Sequence, residues 1–318
     1  MTLQELVDEI GQQPSWEANG KRAPHKPLTL LFALGQAMQG NRMIRYEKAE
    51  PRLIQLLDRF GPPRGIQHPE QPVWRLRSYR GAPTSFWRLD GDLKGIEGAG
   101  GNPRLGLMRE RVSFGLSESA WDVICGQAGS AYLIAVQLAE EIVPTTLQYS
   151  LLEAVGIDAP AELSLPAAAE TTVASRPSLA VVFRQRVTST RLLRDPAFSR
   201  KVLDAYETAC AICDISPRLH SQRFGLEAAH IRWAQAGGSD EIPNGLCLCK
   251  MHHVALDYGA LKIDETMRVR VSSRLDPSTE SLEMFGRFEG REIRLPKCNS
   301  SHPNEEMLRW HATEVFKP

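Results

Sequence analysis

The strongest constraint on this chain is a set of four metal-binding side chains that occurs as two short pairs. Cys210 and Cys213 form a Cys-x-x-Cys pair, and Cys249 and His252 form a Cys-x-x-His pair about 35 residues later. A two-residue spacer lets both side chains of a pair face one ion, and tetrahedral zinc takes four such sulfur and nitrogen ligands. The spacing therefore predicts one structural Zn²⁺ site, around which this part of the chain folds.

A redox centre is the alternative interpretation of the first pair, because an isolated Cys-x-x-Cys motif also occurs in thiol–disulfide enzymes. Such a centre needs no distant Cys-x-x-His pair, so we favour the metal. The other three cysteines, Cys125, Cys247 and Cys298, are expected to be small buried residues.

His253 directly follows His252, and neighbouring residues of a helix point in directions about 100° apart, so the two cannot bind the same ion. His253 and Asp257 are four residues apart, which places them on one face of a helix. An imidazole and a carboxylate at this spacing suit a second, harder divalent ion. Taken alone, His253 has an alternative interpretation as an ordinary surface or core histidine.

The chain has 318 residues, enough for two domains of ordinary size. Residues 158–180 are rich in Ala, Pro, Ser and Thr and poor in large apolar residues, which is typical of a linker. This division predicts an N-terminal domain at residues 1–157 and a C-terminal domain at residues 181–318. Helical and strand patterns occur together, so the predicted fold class is α+β with two domains.

The segments with clear secondary-structure signals are few. Helices are predicted at KPLTLLFALGQAMQG from Pro27, at EPRLIQLLDRFG from Pro51, at DPAFSRKVLDAYETAC from Pro196, and at NEEMLRWHATEVF with Asn304 as its cap. Strands are predicted at VWRLRSY and SFWRLDG, and a β-hairpin at ALKIDETMRVRVSS.

The formal net charge is zero, but the charge is unevenly distributed. Residues 15–111 contain 17 Lys or Arg and 9 Asp or Glu, whereas residues 112–175 contain 8 acidic residues and no Lys or Arg. A basic segment is typical of a nucleic-acid-binding surface, and the alternative is solvated faces that differ in sign. The first residues lack the basic start and apolar stretch of a signal peptide, so we expect a cytoplasmic protein.

A third histidine precedes the Cys-x-x-His pair. The segment LEAAHIRWAQAGGSDEIPNG places His230 at the end of a strand-like stretch and Asn244 fourteen residues later, and His253 follows after nine more. This His–Asn–His order, interleaved with the two metal pairs, resembles the ββα-metal nucleases called HNH endonucleases over residues 203–263. The resemblance implies hydrolysis of DNA phosphodiester bonds in a ββα-metal domain that a structural zinc stabilises.

The resemblance also implies the role of each position. His230 would be the general base that takes a proton from the attacking water, which a neutral imidazole can do near pH 7. Asn244 would orient His230, or the loop that holds it, by hydrogen bonding.

The catalytic ion implied by the resemblance is Mg²⁺ or Mn²⁺. His253, with Asp257 as a helper, would hold it. Many HNH enzymes carry an acidic or histidine ligand just before the general base, and here that position is Ala229. Glu227 is a less favoured substitute than Asp257.

Two segments of the N-terminal domain, RAPHKPLTLLFALG and HPEQPVWRLR, resemble the sulfur-binding domains of phosphorothioate-dependent restriction endonucleases. That family joins such a domain to a C-terminal HNH domain. In a phosphorothioate, sulfur replaces one non-bridging oxygen; because sulfur is larger and less well hydrated, its recognition needs an apolar wall beside cationic donors. The implied wall is Pro72 and Val73, the implied donors are Arg22, His25, Lys26 and Arg75, and Gln71 is implied at the base edges.

Together the resemblances imply a modification-dependent restriction endonuclease whose partner is double-stranded, phosphorothioated DNA. A double-strand cut by domains with one site each favours a homodimer. One alternative is a nuclease that targets methylated or otherwise modified bases, which a cage formed from Trp74, Tyr79, Phe86 and Trp87 would bind. The other is a zinc-dependent DNA-binding module without catalytic activity.

Overall fold

The computed structural model describes residues 1–13, 23–126, 129–158, 196–220 and 222–318. Arg22 and all but the first residue of the predicted linker lie outside these ranges. The α+β class and the two-domain organisation are confirmed. In the N-terminal domain the elements are α1 (Leu3–Gly11), α2 (His25–Met38), β1 (Met43–Arg45), α3 (Tyr46–Phe60), α4 (Glu70–Arg75), β2 (Ser78–Tyr79), β3 (Ala82–Pro83), β4 (Trp87–Asp90), α5 (Leu105–Arg111), β5 (Ser113–Leu116), α6 (Glu118–Gly126), α7 (Ser130–Ile142) and α8 (Thr145–Ala154).

The N-terminal core is built around a small antiparallel sheet, in the order β1-β5-β4, and the buried helix α2. Phe114 of β5 lies at the centre of an aromatic group, with ring centroids 6.4 Å from Phe32, 6.4 Å from Tyr46 and 5.6 Å from Trp87. All four rings are buried. Aromatic contacts of this kind add to the free energy gained from burying the rings themselves.

The structure confirms the helix predicted near Pro27. Pro27 lies in the first turn of α2, and Gly40 follows the C-terminal end of the helix with a φ of +85°. Its neighbour α8 approaches closely at Gly35. A Cβ atom at that position would lie 1.8 Å from the carbonyl oxygen of Val155, so only glycine allows the contact.

Two predictions for this domain are corrected. Helix α3 begins at Tyr46 and includes Pro51, because burial of Tyr46 and Leu53 at helical spacing outweighs the hydrogen bond that proline lacks. The first half of VWRLRSY is helical in α4 and not a strand. Val73 and Trp74 are adjacent and both buried, which a strand with only one buried face does not allow.

The C-terminal domain contains the predicted ββα unit. Its elements are α9 (Pro196–Ala205), β6 (Arg218–Leu219), β7 (Gln222–Arg223), β8 (Leu226–His230), β9 (Gly245–Cys249), α10 (Lys250–Asp257), β10 (Leu261–Ile263), β11 (Val269–Val271), α11 (Thr279–Met284) and α12 (Glu305–Glu314). Strands β8 and β9 pair antiparallel, with His230 opposite Gly245. The predicted hairpin is β10–β11, and the Asn304 side chain caps α12 as expected.

The two domains share a hydrophobic core. Trp233, Trp310 and Val315 belong by sequence to the C-terminal domain, yet they pack with the buried residues of the N-terminal domain. The Lys317 ammonium donates a hydrogen bond to the Gly61 carbonyl at 2.6 Å. None of the helices in the described ranges combines the length and the apolarity that crossing a bilayer requires.

Candidate functional site

The four predicted zinc ligands converge in the structure. Cys210 and Cys213 lie in the turn after α9, Cys249 ends β9, and His252 lies in the first turn of α10. Their ligand atoms all lie within 4.8 Å of one another. The Nδ1 atom of His252 is 3.5 Å from the Cys210 sulfur and 3.2 Å from the Cys249 sulfur. Three sulfurs and one imidazole nitrogen in this arrangement form a site that fits a metal ion.

The thiols of this cluster compete for protons. Hydrogen bonds with Cys210 and Cys213 lower the pKa of Cys249, whereas hydrogen bonds with Cys210 and Cys249 raise the pKa of Cys213. A buried group of thiolates needs a compensating cation, and a metal ion supplies one.

The remaining cysteines differ from one another. Cys247 is fully buried, as expected, and burial raises its pKa to about 12. The predictions for Cys125 and Cys298 are wrong, because both are exposed. Their places near the end of α6 and next to the short turn at Asn299–Ser301 put them at the surface.

His230 is held in place from two sides at the end of β8. Its Nε2 atom is 2.7 Å from the Asp240 carboxylate, and its ring stacks on Phe198 at a centroid distance of 4.2 Å. The structure thus assigns Asp240 a place that the sequence interpretation did not include. The signal was present in GGSDE, where an acidic residue lies in the loop between the two motif positions.

Asn244 fastens the loop between β8 and β9. The hydrogen bonds shown for its side-chain amide go to backbone groups of this loop and not to the His230 ring. Its side-chain oxygen accepts a hydrogen bond from the Arg232 amide at 2.8 Å, and its side-chain nitrogen donates to the carbonyls of Arg232 and Ser239 at 3.0 and 2.9 Å. The residue is 1% exposed. Of the two expectations for Asn244, the geometry favours support of the loop.

His253 lies between two carboxylates. Its Nδ1 atom is 2.9 Å from Glu227, and its Nε2 atom is 3.3 Å from Asp257. The hydrogen bond with His253 lowers the pKa of Glu227, and the Lys250 ammonium lies 3.6 Å from the other Glu227 oxygen. His253 is thus no ordinary surface histidine, and Glu227 is its carboxylate neighbour on β8.

Asp257 is placed differently from the sequence expectation. It is 2% exposed, and burial raises the pKa of its carboxyl group. One carboxylate oxygen accepts a hydrogen bond from the Trp233 indole at 3.1 Å, and the other accepts one from the Thr146 hydroxyl at 2.5 Å. Because protein donors already engage both oxygens, Asp257 is arranged to hold His253 rather than to meet an ion directly.

These side chains surround one cavity of about 330 Å³. Both domains contribute to its lining, which includes Pro144, Thr145 and Thr146 from the N-terminal domain and Phe198, Glu227, His230, Asp240, His253 and Asp257 from the C-terminal domain. A cavity with convergent imidazoles and carboxylates is the expected form of a hydrolytic site.

A second candidate site lies at the N-terminal domain, where α2 and α4 bring charged side chains together. Lys26 is half-buried, and its pKa is lowered by burial and by the nearby Arg75. The Arg75 guanidinium donates to Gln71 at 3.2 Å and to Asn102 at 3.0 Å. Asn102 was not predicted; it follows a glycine-rich turn at residues 98–101, where the backbone adopts positive φ at two glycines.

The predicted apolar wall is only partly supported. Val73 is fully buried in the core, and its carbonyl accepts a hydrogen bond from the Trp87 indole at 3.0 Å, so its side chain is not a surface contact. Pro72 is also buried, next to the half-buried Gln71. His25 begins α2 beside Lys26.

The aromatic cage of the base-modification alternative is not formed. Trp74 and Trp87 are each 4% exposed, and Phe86 is fully buried. The Arg77 guanidinium lies over the Trp74 ring at 3.9 Å, which covers this ring further. These rings build the core instead of a base-binding pocket.

Comparisons with known protein families match one stretch in each domain. Residues 3–160 match the ScoMcrA-like DNA sulfur-binding domain, and residues 210–264 match an HNH endonuclease family. The protein is thus a DNA sulfur-binding domain joined to an HNH endonuclease domain.

Solved structures to which part of the chain is similar include the sulfur-binding domain of SprMcrA complexed with phosphorothioated DNA. The identity is 22%, the TM-score is 0.40, and the match covers 49% of this chain and 95% of that one. The sulfur-binding domain of ScoMcrA complexed with phosphorothioated DNA matches at 21% identity and a TM-score of 0.39. That match covers 48% of this chain and 94% of the other. The modification-dependent TagI restriction endonuclease gives 24% identity and a TM-score of 0.29, and the match covers 37% of each chain. No curated protein matches the chain.

Proposed function

We propose that the protein is a restriction endonuclease that binds phosphorothioated double-stranded DNA through residues 1–157 and hydrolyses phosphodiester bonds through an HNH site in residues 181–318. The observation that carries this proposal is the cavity shared by His230, Asp240, Glu227 and His253, on a chain whose two halves match a sulfur-binding and a nuclease family. A sulfur-binding domain alone would have no use for such a cavity.

His230 is the proposed general base. Because Asp240 accepts a hydrogen bond from Nε2, the neutral tautomer carries its lone pair on Nδ1, and this atom takes the proton from the attacking water. The Asp240 carboxylate also stabilises the imidazolium that forms. Stacking on Phe198 fixes the ring plane, and Asn244 fixes the loop that carries Asp240.

The Cys210, Cys213, Cys249 and His252 cluster is proposed to hold a structural Zn²⁺. Its donor set is the Cys₃His type that zinc favours, and it is buried against the edges of two aromatic rings, Phe285 and Phe288, which contact His252.

His253 and Glu227 are proposed to hold the catalytic ion, with Asp257 orienting His253 from behind. A nitrogen and a carboxylate oxygen 2.9 Å apart suit a small, hard cation such as Mg²⁺ or Mn²⁺ better than zinc bound by thiolates. Such an ion stabilises the negative charge that develops on the phosphate and on the departing oxygen.

The sulfur-reading surface is proposed to comprise His25, Lys26, Gln71, Pro72 and Arg75. Arg22 lies outside the described residues and is included because of its position in the sequence, close to His25 and Lys26. Lys26 and Arg75 supply positive charge to the phosphate. Pro72 is buried, like Val73, so it can supply the apolar contact for sulfur only if DNA binding exposes it. Asn102 holds the Arg75 guanidinium in position. Phosphate contacts position a protein on DNA, so the preference for sulfur must arise at the apolar contact.

One duplex sequence, prepared as phosphorothioated, methylated and unmodified DNA, tests the function. We expect the protein to cut the phosphorothioated duplex selectively with Mg²⁺ or Mn²⁺. The variant His230→Ala should bind it unchanged and cut it about 10²–10⁴-fold more slowly, which is the usual contribution of a general base. His302→Ala, which removes a histidine outside the cavity lining, is the matched control. Equal cutting of all three duplexes, or full activity of His230→Ala, contradicts the proposal.

A homodimer is also part of the proposal, because one hydrolytic cavity of this kind occurs among the described residues and a double-strand break needs two cuts. Light scattering on the purified protein, with and without the phosphorothioated duplex, measures the assembly. A monomer under both conditions that still makes double-strand breaks would require two successive nicks instead.

A further inference from the structure

Helix α8 of the N-terminal domain reaches the nuclease cavity directly. The Thr146 hydroxyl in its first turn donates a 2.5 Å hydrogen bond to the Asp257 carboxylate of α10, across 111 residues of sequence. Thr146 is half-buried, and it lies in the lining of the same cavity as His230 and His253. The sulfur-binding domain therefore supplies an atom to the surroundings of the HNH site.

Asp257 connects Thr146 to His253, because it contacts both residues. Of its two oxygens, the one that accepts the Thr146 hydrogen bond is also the one 3.3 Å from the His253 Nε2 atom. The other oxygen accepts from the Trp233 indole. A buried carboxylate depends on such donors, because an oxygen left without one loses its hydration and gains no hydrogen bond in return. Loss of the Thr146 hydroxyl thus removes the donor on the oxygen that faces His253 and leaves that side of Asp257 less firmly held, with only the Trp233 bond to the other oxygen retained.

The segment that carries Thr146 is itself fastened to the nuclease domain. The Gln235 side chain donates a hydrogen bond to the Val143 carbonyl at 3.2 Å, three residues before Thr146. Trp233, two residues before Gln235, packs in the N-terminal core and also donates to Asp257. Residues 233–235 therefore bind both the connection between α7 and α8 and the Asp257 carboxylate.

We propose that Thr146 is a positioning residue of the HNH site, contributed by the sulfur-binding domain, and that docking of α8 sets the orientation of His253 through Asp257. This inference rests on the proposed function of His253 as a ligand of the catalytic ion. Its consequence is that the nuclease site is complete only when the two domains are docked.

The test compares Thr146→Val, which replaces the hydroxyl by a methyl group of similar size, with Thr146→Ser, which keeps the hydroxyl, in the full chain. Removal of an outer partner of a metal ligand typically costs about 10–100-fold in metal affinity or activity. We expect Thr146→Val to weaken Mn²⁺ binding, measured by electron paramagnetic resonance of free Mn²⁺, and to slow cutting, each within that range. Thr146→Ser should restore both.

Thr313→Val is the control, because the exposed Thr313 hydroxyl bonds only to carbonyls of its own helix among the contacts shown. Zinc content and binding to the phosphorothioated duplex should stay at the wild-type level in all variants. If Thr146→Val binds Mn²⁺ with wild-type affinity, the inference is overturned, whatever the rate at which this variant cuts DNA. If Thr146→Val does not fold, Thr146→Ala and Thr146→Ser carry the same comparison, and equal Mn²⁺ affinity of those two overturns it. Failure of the wild-type protein to cut any duplex would instead count against the proposed function.

Discussion

His252 and His253 are consecutive residues of α10, yet they belong to two chemically different regions. His252 is 4% exposed and faces sulfur atoms, with Cys210 and Cys249 within 3.5 Å of its Nδ1 atom. His253 faces oxygen atoms from Glu227 and Asp257 and lines an open cavity. A single residue step along the helix, a rotation of about 100°, thus separates a region with soft ligands from a region with hard ones.

The comparison shows how one short element serves both folding and chemistry. The residues of the sulfur-rich cluster all come from the C-terminal domain. The cavity, in contrast, includes residues of α8 and depends on the docking of the two domains. Donor softness would separate the two proposed ions, and the helical rotation of about 100° between neighbouring residues separates their proposed sites.

The largest effect should follow loss of the cluster. Cys249→Ser should remove about one zinc per chain and unfold the C-terminal domain, because structural zinc supplies on the order of 10–16 kcal/mol of apparent binding energy that becomes folding energy. Elemental analysis and near-ultraviolet circular dichroism measure the two outcomes. Cys298→Ser, at an exposed cysteine, should retain zinc and fold. A folded Cys249→Ser protein without zinc would show that the cluster is not needed for the fold.

An intermediate effect should follow changes on the other side of α10. His253→Ala should nearly abolish cutting, and Glu227→Gln should weaken Mn²⁺ binding at least about tenfold, while both keep their zinc and their melting temperature close to wild type. Glu283→Gln, at an exposed position on α11, is the control. The distinction between the two regions breaks down if His253→Ala loses zinc, or if Glu227→Gln binds Mn²⁺ normally.

The smallest effect concerns the reading surface. Lys26→Ala should weaken binding to phosphorothioated and unmodified duplexes alike, and reduce the slope of log K against log salt by about 0.9. Since burial and then Arg75 lower the pKa of Lys26, its charge is present at low pH and is lost on raising the pH sooner than that of an ordinary lysine. The Lys26 contribution to affinity should therefore fall as pH rises. Fluorescence anisotropy measures the affinity for DNA at each salt concentration and pH, with Lys297→Ala as the control. An unchanged salt slope in Lys26→Ala contradicts the proposed phosphate contact of Lys26.

The four residues of the cysteine–histidine cluster were predictable because each pair is close in sequence and local geometry brings its two side chains together. The residues around the cavity were predictable in part, because the His–Asn–His order of His230, Asn244 and His253 is specific as a combined motif although each histidine alone is a weak signal. The arrangement of Glu227 and Asp257 was not, because it depends on burial: Asp257 is enclosed by groups from distant parts of the chain, while Glu227 stays at the cavity.

Thr146 gave no signal in the sequence, since its role arises from the packing of one domain on another. The reading surface was the least predictable part for a similar reason. Val73 looked suitable for an apolar wall, but whether an apolar residue faces the ligand or the core is decided by tertiary packing, and here it faces the core. The strand prediction for VWRLRSY was wrong for the same reason, because tertiary packing buries the adjacent residues Val73 and Trp74 in a helix.

The core shared between the domains bears on how such proteins can diverge. Trp233 and Trp310 contact each other edge to face, at 6.0 Å, and both are sealed against residues of the sulfur-binding domain. A recombination event that exchanged one domain for an unrelated partner would expose two tryptophans and leave Asp257 without its donor from α8. The two halves of this protein must therefore be inherited, or engineered, as a matched pair, with changes on one face of the junction compensated on the other.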